Sequence, residues 1–329
     1  MKDNLAKVLV TFASDSETRE LMERVLGADA KVVYLSDLSS SSRAEQLAEA
    51  DVLISAHIAR ELLPSEFKTL GGVKVLQMLS AGVDHVPFSN LPPNVVVLGN
   101  FGAYSQPIAE HIIAMILAAC KNLLAQNEKL RRGVFDHDTE NRMLRDSTCA
   151  ILGFGGIGKA AAHLLRCFGV KIYAINTSGK TDEEVEFIGT FKDLEFVLHS
   201  ADIALLSLPL MNSTRGLIGK RELAWMKDTA ILVNVARGAI IDEGALFEKL
   251  KAQPKFTAAL EAWWNEPYNS GEFRTNYPFF DLPNVLGCPH NSGIVAGAFY
   301  NGVRCAAENV KRWLNQEPII GVVKRSDYT

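Results

Sequence analysis

The sequence predicts an α/β protein built from two doubly wound parallel-sheet domains, and three observations lead there. Apolar, β-rich runs alternate with helical stretches along nearly the whole chain. The segment Ala150–Lys159, A-I-L-G-F-G-G-I-G-K, reads as strand, tight turn and helix. At 329 residues the chain is long for one core, so two domains of ordinary size are the natural division.

In the first third, Lys7 to Thr11 is apolar and β-rich, and Ser14 with Glu17 has the spacing of a capping box. Leu21, Met22, Val25 and Leu26 then supply a helical face that Gly27 ends. Lys31 to Leu35, Val52 to Ser55, Val73 to Met78 and Val95 to Leu98 read as further strands, and the Ser39 to Ser42 tract as a loop. One of these strands ends in Ser80-Ala81-Gly82-Val83. Two readings are open there: a simple turn, or a backbone that meets a ligand, since ligands sit at the carboxyl ends of strands in such sheets.

From Ser105 a helical stripe appears in Ile108, Ile112, Ile113, Ile116, Leu117 and Cys120, with Glu110 and His111 read as a packing or capping pair. The glycine turn follows. Gly153 lets the chain turn, Gly155 lets a pyrophosphate approach, and Gly158 lets helix and strand pack closely. Gly156 and Ile157 open a helix whose free N–H groups suit an anion. Val170 to Ile175, Ile203 to Leu208, Ile231 to Val235, Phe256 to Glu261 and Val285 to Cys288 continue the strand series. The helical tail Ala296 to Trp313, with Val303, Ala306, Val310 and Trp313 on one stripe, is expected to fold back on the first domain and place Ile319 to Val323 beside its early strands.

Composition narrows the partners. A net charge of -4 offers no electrostatic basis for binding nucleic acid or an anionic membrane, so small molecules are the expected ligands. The longest apolar run, Ile112 to Cys120, is too short to cross a bilayer. Five scattered cysteines without a C-x-x-C pair, and no signal-peptide run in Met1 to Val10, lead to the expectation of a cytoplasmic protein with free thiols. The seven histidines show no zinc-ligand spacing, so no metal is expected, and Asp136-His137-Asp138 reads as a solvated loop.

Three later segments have the residue types that carbonyl reduction needs. Arg237, in N-V-A-R-G at a strand end, can hold a carboxylate bidentately and touch the neighbouring carbonyl oxygen, although a structural salt bridge is the other reading. His290, in C-P-H-N-S-G directly after a strand, is the natural proton donor. Glu266, in N-E-P, is a carboxylate partner that would favour its imidazolium form. Trp263 and Trp264 before it read as core packing or as lining for a cleft.

Taken in order, these segments resemble the D-isomer-specific 2-hydroxyacid dehydrogenase family, in particular its glyoxylate/hydroxypyruvate reductases. The resemblance covers L-Q-M-L-S-A-G-V-D (Leu76 to Asp84), I-A-E-H (Ile108 to His111), G-F-G-G-I-G (Gly153 to Gly158) and L-P-L-M-N-S-T-R-G-L-I (Leu208 to Ile218). It continues through N-V-A-R-G-A-I-I-D-E-G-A-L (Asn234 to Leu246), N-E-P (Asn265 to Pro267) and Pro289-His290. It implies His290 as general acid/base, Glu266 as its orienting partner, Arg237 as the substrate-binding arginine, and Ala81, Gly82 and Val83 as a carboxylate cradle. Val235 and Ala236 fall among the implied cofactor contacts.

The resemblance also implies an architecture and an activity. A Rossmann dinucleotide-binding domain, residues 104–291, would be inserted into a discontinuous flavodoxin-like substrate domain, residues 1–103 and 292–329. The protein would be a homodimer through the dinucleotide domain, with the Ser105 to Asn122 helix partly an interface. The implied reaction reduces a small 2-oxo acid such as glyoxylate, hydroxypyruvate or pyruvate to the D-2-hydroxy acid with NAD(P)H. A nicotinamide-sensing corepressor on the same fold is the alternative.

Two departures from the family pattern matter. The strand Lys171 to Ile175 is not followed by the acidic residue that would hold the adenosine ribose of NAD; Asn176-Thr177-Ser178-Gly179-Lys180 stands there instead. Thr177, Ser178 and Lys180 can accept a 2′-phosphate, so NADP is expected in preference to NAD. Glu261 occupies the place of a usual aspartate expected near the nicotinamide carboxamide.

Overall fold

Strands buried on both faces need cover on both faces, and helices alternating with strands supply it. The computed structural model describes residues 5–267 and 271–329. They form two units, one taking the chain up to Tyr104 together with Ile294–Thr329, the other Ser105–Gly293.

The first unit runs β1 (Ala6–Val10), α1 (Ser16–Leu26), β2 (Ala30–Tyr34), α2 (Ser40–Ala48), β3 (Val52–Ser55), α3 (Ile58–Glu61), β4 (Val75–Met78) and β5 (Val96–Leu98). All pairings are parallel, in the order β2-β1-β3-β4-β5, the flavodoxin-like order. Every residue of β3 and β4 is buried. The last helix, Ala298–Leu314, packs with α1, placing Val303, Ala306, Ala307 and Val310 in one core with Val8, Val10, Leu21, Met22 and Leu26. Its buried Asn309 donates to the Gln77 side chain in β4 (2.7 Å) and pairs with both backbone polar groups of Ile320. The tail then runs antiparallel beside β5, with Val322 opposite Leu98 and the Val323 N–H on the Val97 carbonyl.

Two local expectations are corrected in this unit. The cap of α1 is Asp15, whose carboxylate accepts the Thr18 N–H at 2.9 Å, and Ser14 turns back to the Phe12 carbonyl. A carboxylate at this position also favours the positive end of the helix dipole. Ser40, Ser41 and Ser42 are the first turn of α2, not a loop, with Ser39 at its N-cap.

The second unit contains α4 (Ser105–Cys120), α5 (Leu123–Arg131), β6 (Thr148–Leu152), α6 (Gly156–Arg166), β7 (Lys171–Ile175), β8 (Phe187–Gly189) and α7 (Leu194–Ser200). It continues with β9 (Ile203–Leu206), α8 (Lys220–Trp225), β10 (Ile231–Asn234), α9 (Glu243–Ala252), β11 (Thr257–Leu260) and β12 (Val285–Gly287). Its seven-stranded sheet is ordered β12-β11-β10-β9-β6-β7-β8 and is parallel throughout. The chain lays strands to one side of β6 and then returns to lay β9 on the other. That reversal is the Rossmann switch point, and the glycine turn follows β6 directly. Helix α4 packs against α6, with Ala109, Ile112, Met115, Ile116 and Cys120 buried in the core. Among the described residues no single helix is long and apolar enough to cross a membrane. All five cysteines are free thiols.

Candidate active site

Each glycine of the β6–α6 turn answers a steric demand. Gly153 has φ +99°, and a Cβ there would lie 2.6 Å from the Ser207 carbonyl oxygen. A Cβ on Gly158 would lie 2.5 Å from the Gly153 carbonyl oxygen. Around Gly155, in contrast, a Cβ would meet nothing within 4 Å, which is the open approach a pyrophosphate requires. The turn is fastened by the Gly153 and Phe154 N–H groups on the Ile175 carbonyl and by Ser207 Oγ on the Gly153 carbonyl (2.9 Å). No side chain caps α6, so Gly156 and Ile157 begin a helix whose leading N–H groups are left to a ligand.

The loop after β7 is organised by its asparagine. Asn176 Oδ1 accepts the N–H groups of Ser178 (3.0 Å) and Gly179 (2.7 Å) and the Ser178 hydroxyl, while its Nδ2 donates to the Lys180 carbonyl. Its side chain therefore shapes the loop. Thr177, Ser178 and Lys180 are exposed on it. Lys159 at the start of α6 is committed to Asp182 at 2.6 Å.

Arg237, Glu266 and His290 converge at the carboxyl ends of β10, β11 and β12. Asn234, buried at the end of β10, sets the first of them: its Oδ1 accepts the Ala236 N–H and its Nδ2 donates to the Arg237 carbonyl, both at 3.0 Å. Gly238 lets this segment press on the backbone of Trp263 and Trp264, where a Cβ would collide. The Val235 N–H bonds to Leu206, so Val235 and Ala236 spend their N–H groups inside the fold, and both are buried. His290 Nδ1 lies 2.9 Å from both oxygens of Glu266, one of which also accepts the Trp263 N–H at 2.8 Å. The Glu266 side chain is 6% exposed and that of His290 26% exposed. Burial pushes the Glu266 carboxyl up, but the His290 hydrogen bond and charge, the Trp263 N–H and the Arg237 guanidinium outweigh it and hold the group below the usual glutamate range. The carboxylate thus fixes the orientation of the imidazole ring through Nδ1.

Glu261 is wholly buried immediately after β11. Its Oε1 accepts the Ser292 N–H at 2.8 Å, and its Oε2 is buried with no hydrogen-bond donor. A buried acceptor left in that state costs about 1–3 kcal/mol. A carboxamide donor would relieve it. With the open Gly155 and the uncapped α6, this orphaned oxygen fits the residues of this unit to a nicotinamide dinucleotide.

In the first unit, the Ser80–Val83 turn follows β4. Ser80 Oγ donates to the Gly82 carbonyl (2.8 Å), Asn100 N–H donates to the Ser80 carbonyl, and the buried Val83 anchors the turn in the core. Among the described residues the N–H groups of Ala81, Gly82 and Val83 donate to no protein acceptor, as a backbone anion cradle requires.

The remaining expectations divide. Glu110 accepts from Gln106, one helical turn earlier, and does not pair with His111, whose Nε2 is buried without a partner. Trp263 meets Phe279 edge-on and Trp264 stacks on it, and the two indoles donate to the Cys288 and Ile241 carbonyls; Trp263 is buried in the core and Trp264 half-buried against it, so packing is their part. Among the described residues no three His, Cys, Asp or Glu side chains are grouped to hold a metal. Asn234, Ser207 and Ser292 escape the sequence reading. For Asn234 alone a signal exists, an asparagine at a strand end two residues before the N–H it would bind.

The Rossmann sheet, the glycine turn and the paired histidine and glutamate define a nicotinamide-dependent oxidoreductase. Residues 113–292, more than half of the chain, match the family model "D-isomer specific 2-hydroxyacid dehydrogenase, NAD binding domain", and the protein belongs to that family. It is 32% identical over 247 residues to a glyoxylate reductase of Aeropyrum pernix, covering 72% of each chain. It is 28% identical over 325 residues to a D-3-phosphoglycerate dehydrogenase of Methanocaldococcus jannaschii, covering 97% of this chain but only 59% of that relative. The crystal structure of a glycerate dehydrogenase related protein from Thermoplasma acidophilum matches it with a TM-score of 0.62 at 29% identity, over 93% of this chain and 99% of the other.

Proposed function

We propose that the protein reduces a small 2-oxo acid of the glyoxylate, hydroxypyruvate or pyruvate type to its D-2-hydroxy acid, with NADPH preferred to NADH. The observation that carries this reading is the His290–Glu266 pair, with both carboxylate oxygens 2.9 Å from Nδ1. Glu266 orients the ring through Nδ1, so that Nε2 can deliver a proton to the substrate's carbonyl oxygen. Arg237 grips the carboxylate and polarises the adjacent carbonyl, and the N–H groups of Ala81, Gly82 and Val83 form a carboxylate cradle in the first unit. The dinucleotide, when bound, supplies the hydride. Gly155, Gly156 and Ile157 would hold its pyrophosphate and Glu261 Oε2 its carboxamide. In this reading residues 104–291 serve the dinucleotide and residues 1–103 and 292–329 the substrate.

The cofactor preference rests on the loop after β7. No carboxylate stands there to repel a 2′-phosphate, and Thr177, Ser178 and Lys180 are exposed on a loop that Asn176 has already shaped. The names of the relatives, glyoxylate reductase and glycerate dehydrogenase related protein, support a two- or three-carbon substrate. We also infer a cytoplasmic homodimer formed through the second unit. The stripe of α4 is mostly committed to its own core, whereas Leu123, Leu124 and Leu130 of α5, with Phe135 and Met143 after it, are exposed and apolar.

One purified preparation tests these points together. Nicotinamide absorbance should fall when NADPH is mixed with at least one of the three oxo acids, with kcat/KM higher than for NADH, and light scattering should give twice the chain mass. Equal or better kcat/KM with NADH would sink the NADPH preference. Dinucleotide binding without turnover of any oxo acid would replace the enzyme with a sensor, and a monomer mass would remove the dimer.

A further inference from the structure

We propose that Glu261 is a positioning residue that latches the turn carrying His290. His290 has φ +53°, in the left-handed region that a residue with a Cβ rarely enters. Such a backbone persists only where its surroundings hold it. Here two hydrogen bonds do so, and both end on Glu261: the His290 N–H donates to the Glu261 carbonyl at 3.1 Å, and the Ser292 N–H donates to Glu261 Oε1 at 2.8 Å.

Glu261 is itself anchored, because its N–H donates to the Asn234 carbonyl at 3.0 Å and its side chain is wholly buried. One residue at the end of β11 thus bridges the sheet to the backbone on both sides of the His290 side chain. The two glutamates divide the task. Glu266 fixes the plane of the ring through Nδ1, and Glu261 fixes the backbone from which the ring projects, so that the placement of Nε2 depends on both. Reach is part of the device: an aspartate would draw the carboxylate back by one carbon–carbon bond and away from Ser292.

The catalytic consequence rests on the reading of His290 as proton donor; the latch itself does not. Full-length Glu261→Asp and Glu261→Gln separate the possibilities, since Gln keeps an acceptor oxygen at the same reach and Asp does not. Amide hydrogen exchange at Ser292, followed without substrate or cofactor, should quicken about 10-fold or more in E261D and stay near the parent rate in E261Q. In turnover, E261D should lose up to about 10²-fold in kcat, the size expected of a reacting group displaced by an ångström. Because Glu261 Oε2 is also assigned to the nicotinamide carboxamide, kcat is compared at saturating dinucleotide, with Kd read from tryptophan fluorescence: E261Q should weaken Kd but lose less kcat than E261D.

Unchanged exchange at Ser292 in E261D overturns the latch whatever the activity. Quickened exchange with full kcat overturns the positioning role. A Kd weakened in both variants with kcat intact would assign Glu261 to cofactor contact alone.

Discussion

On the proposed function, two regions of the second unit would meet a ligand by opposite means. The β6–α6 turn is made of backbone: Gly153, Gly155 and Gly158 serve because they lack a side chain, and a pyrophosphate would be offered N–H groups. The corner at the ends of β10, β11 and β12 is made of side chains locked by other groups. Asn234 clamps Arg237, Trp263 and His290 clamp Glu266, and Glu261 holds the turn that bears His290. A backbone site fails when an atom is added; a side-chain site fails when a functional group is removed, and the fold around it need not notice.

The sharpest test of that contrast is His290→Gln. If His290 is the acid, kcat should fall by about 10²–10⁴, with the thermal midpoint nearly unchanged because the ring is partly exposed and covers little core. Turnover at the parent rate would remove His290 from the chemistry. Gly158→Ala should show the reverse pattern. Its new Cβ, 2.5 Å from the Gly153 carbonyl oxygen, must push helix from strand, with an overpacking cost of about 1–3 kcal/mol and weaker dinucleotide binding. Calorimetry and fluorescence titration would read both effects, and an unaltered Tm with parent Kd would show that the close packing is not required.

The same contrast explains what could be read from the amino acids alone. The glycine turn was legible because three glycines between an apolar strand and an alanine-rich helix have few other uses, and the strand expected at Val170 to Ile175 lies within one residue of the observed Lys171–Ile175. Arg237, Glu266 and His290 were legible mainly as a set, through the family resemblance, since each alone had a structural alternative. What stayed hidden depends on three-dimensional reach. Asn176 turns its amide into its own loop, and Asp15 takes the cap that Ser14 was spaced to take. The edge strand Phe187–Gly189 is too short for a period of two to register. Glu261, read as an altered cofactor contact, also ties down a backbone 31 residues away.

The smallest expected effect concerns acid stability, and it separates the charge of Glu266 from its shape. In the folded protein this carboxyl is held below its ordinary value of 4.5, where burial opposes the shift and His290, Trp263 and Arg237 overcome it. A group whose folded value is depressed contributes stability that is complete above the ordinary value and is lost as pH falls through the folded one. Glu266→Gln keeps the size and an acceptor oxygen but has no proton to gain in this range. The gap between the urea midpoints of the two proteins should therefore be full above the ordinary value of 4.5 and close progressively as pH falls below it, the parent losing stability faster. Other carboxylates titrate in both proteins and largely cancel in the difference. A gap that stays constant over this range would mean that Glu266 contributes only shape and a neutral hydrogen bond, and the clamp on His290 would then owe nothing to its charge.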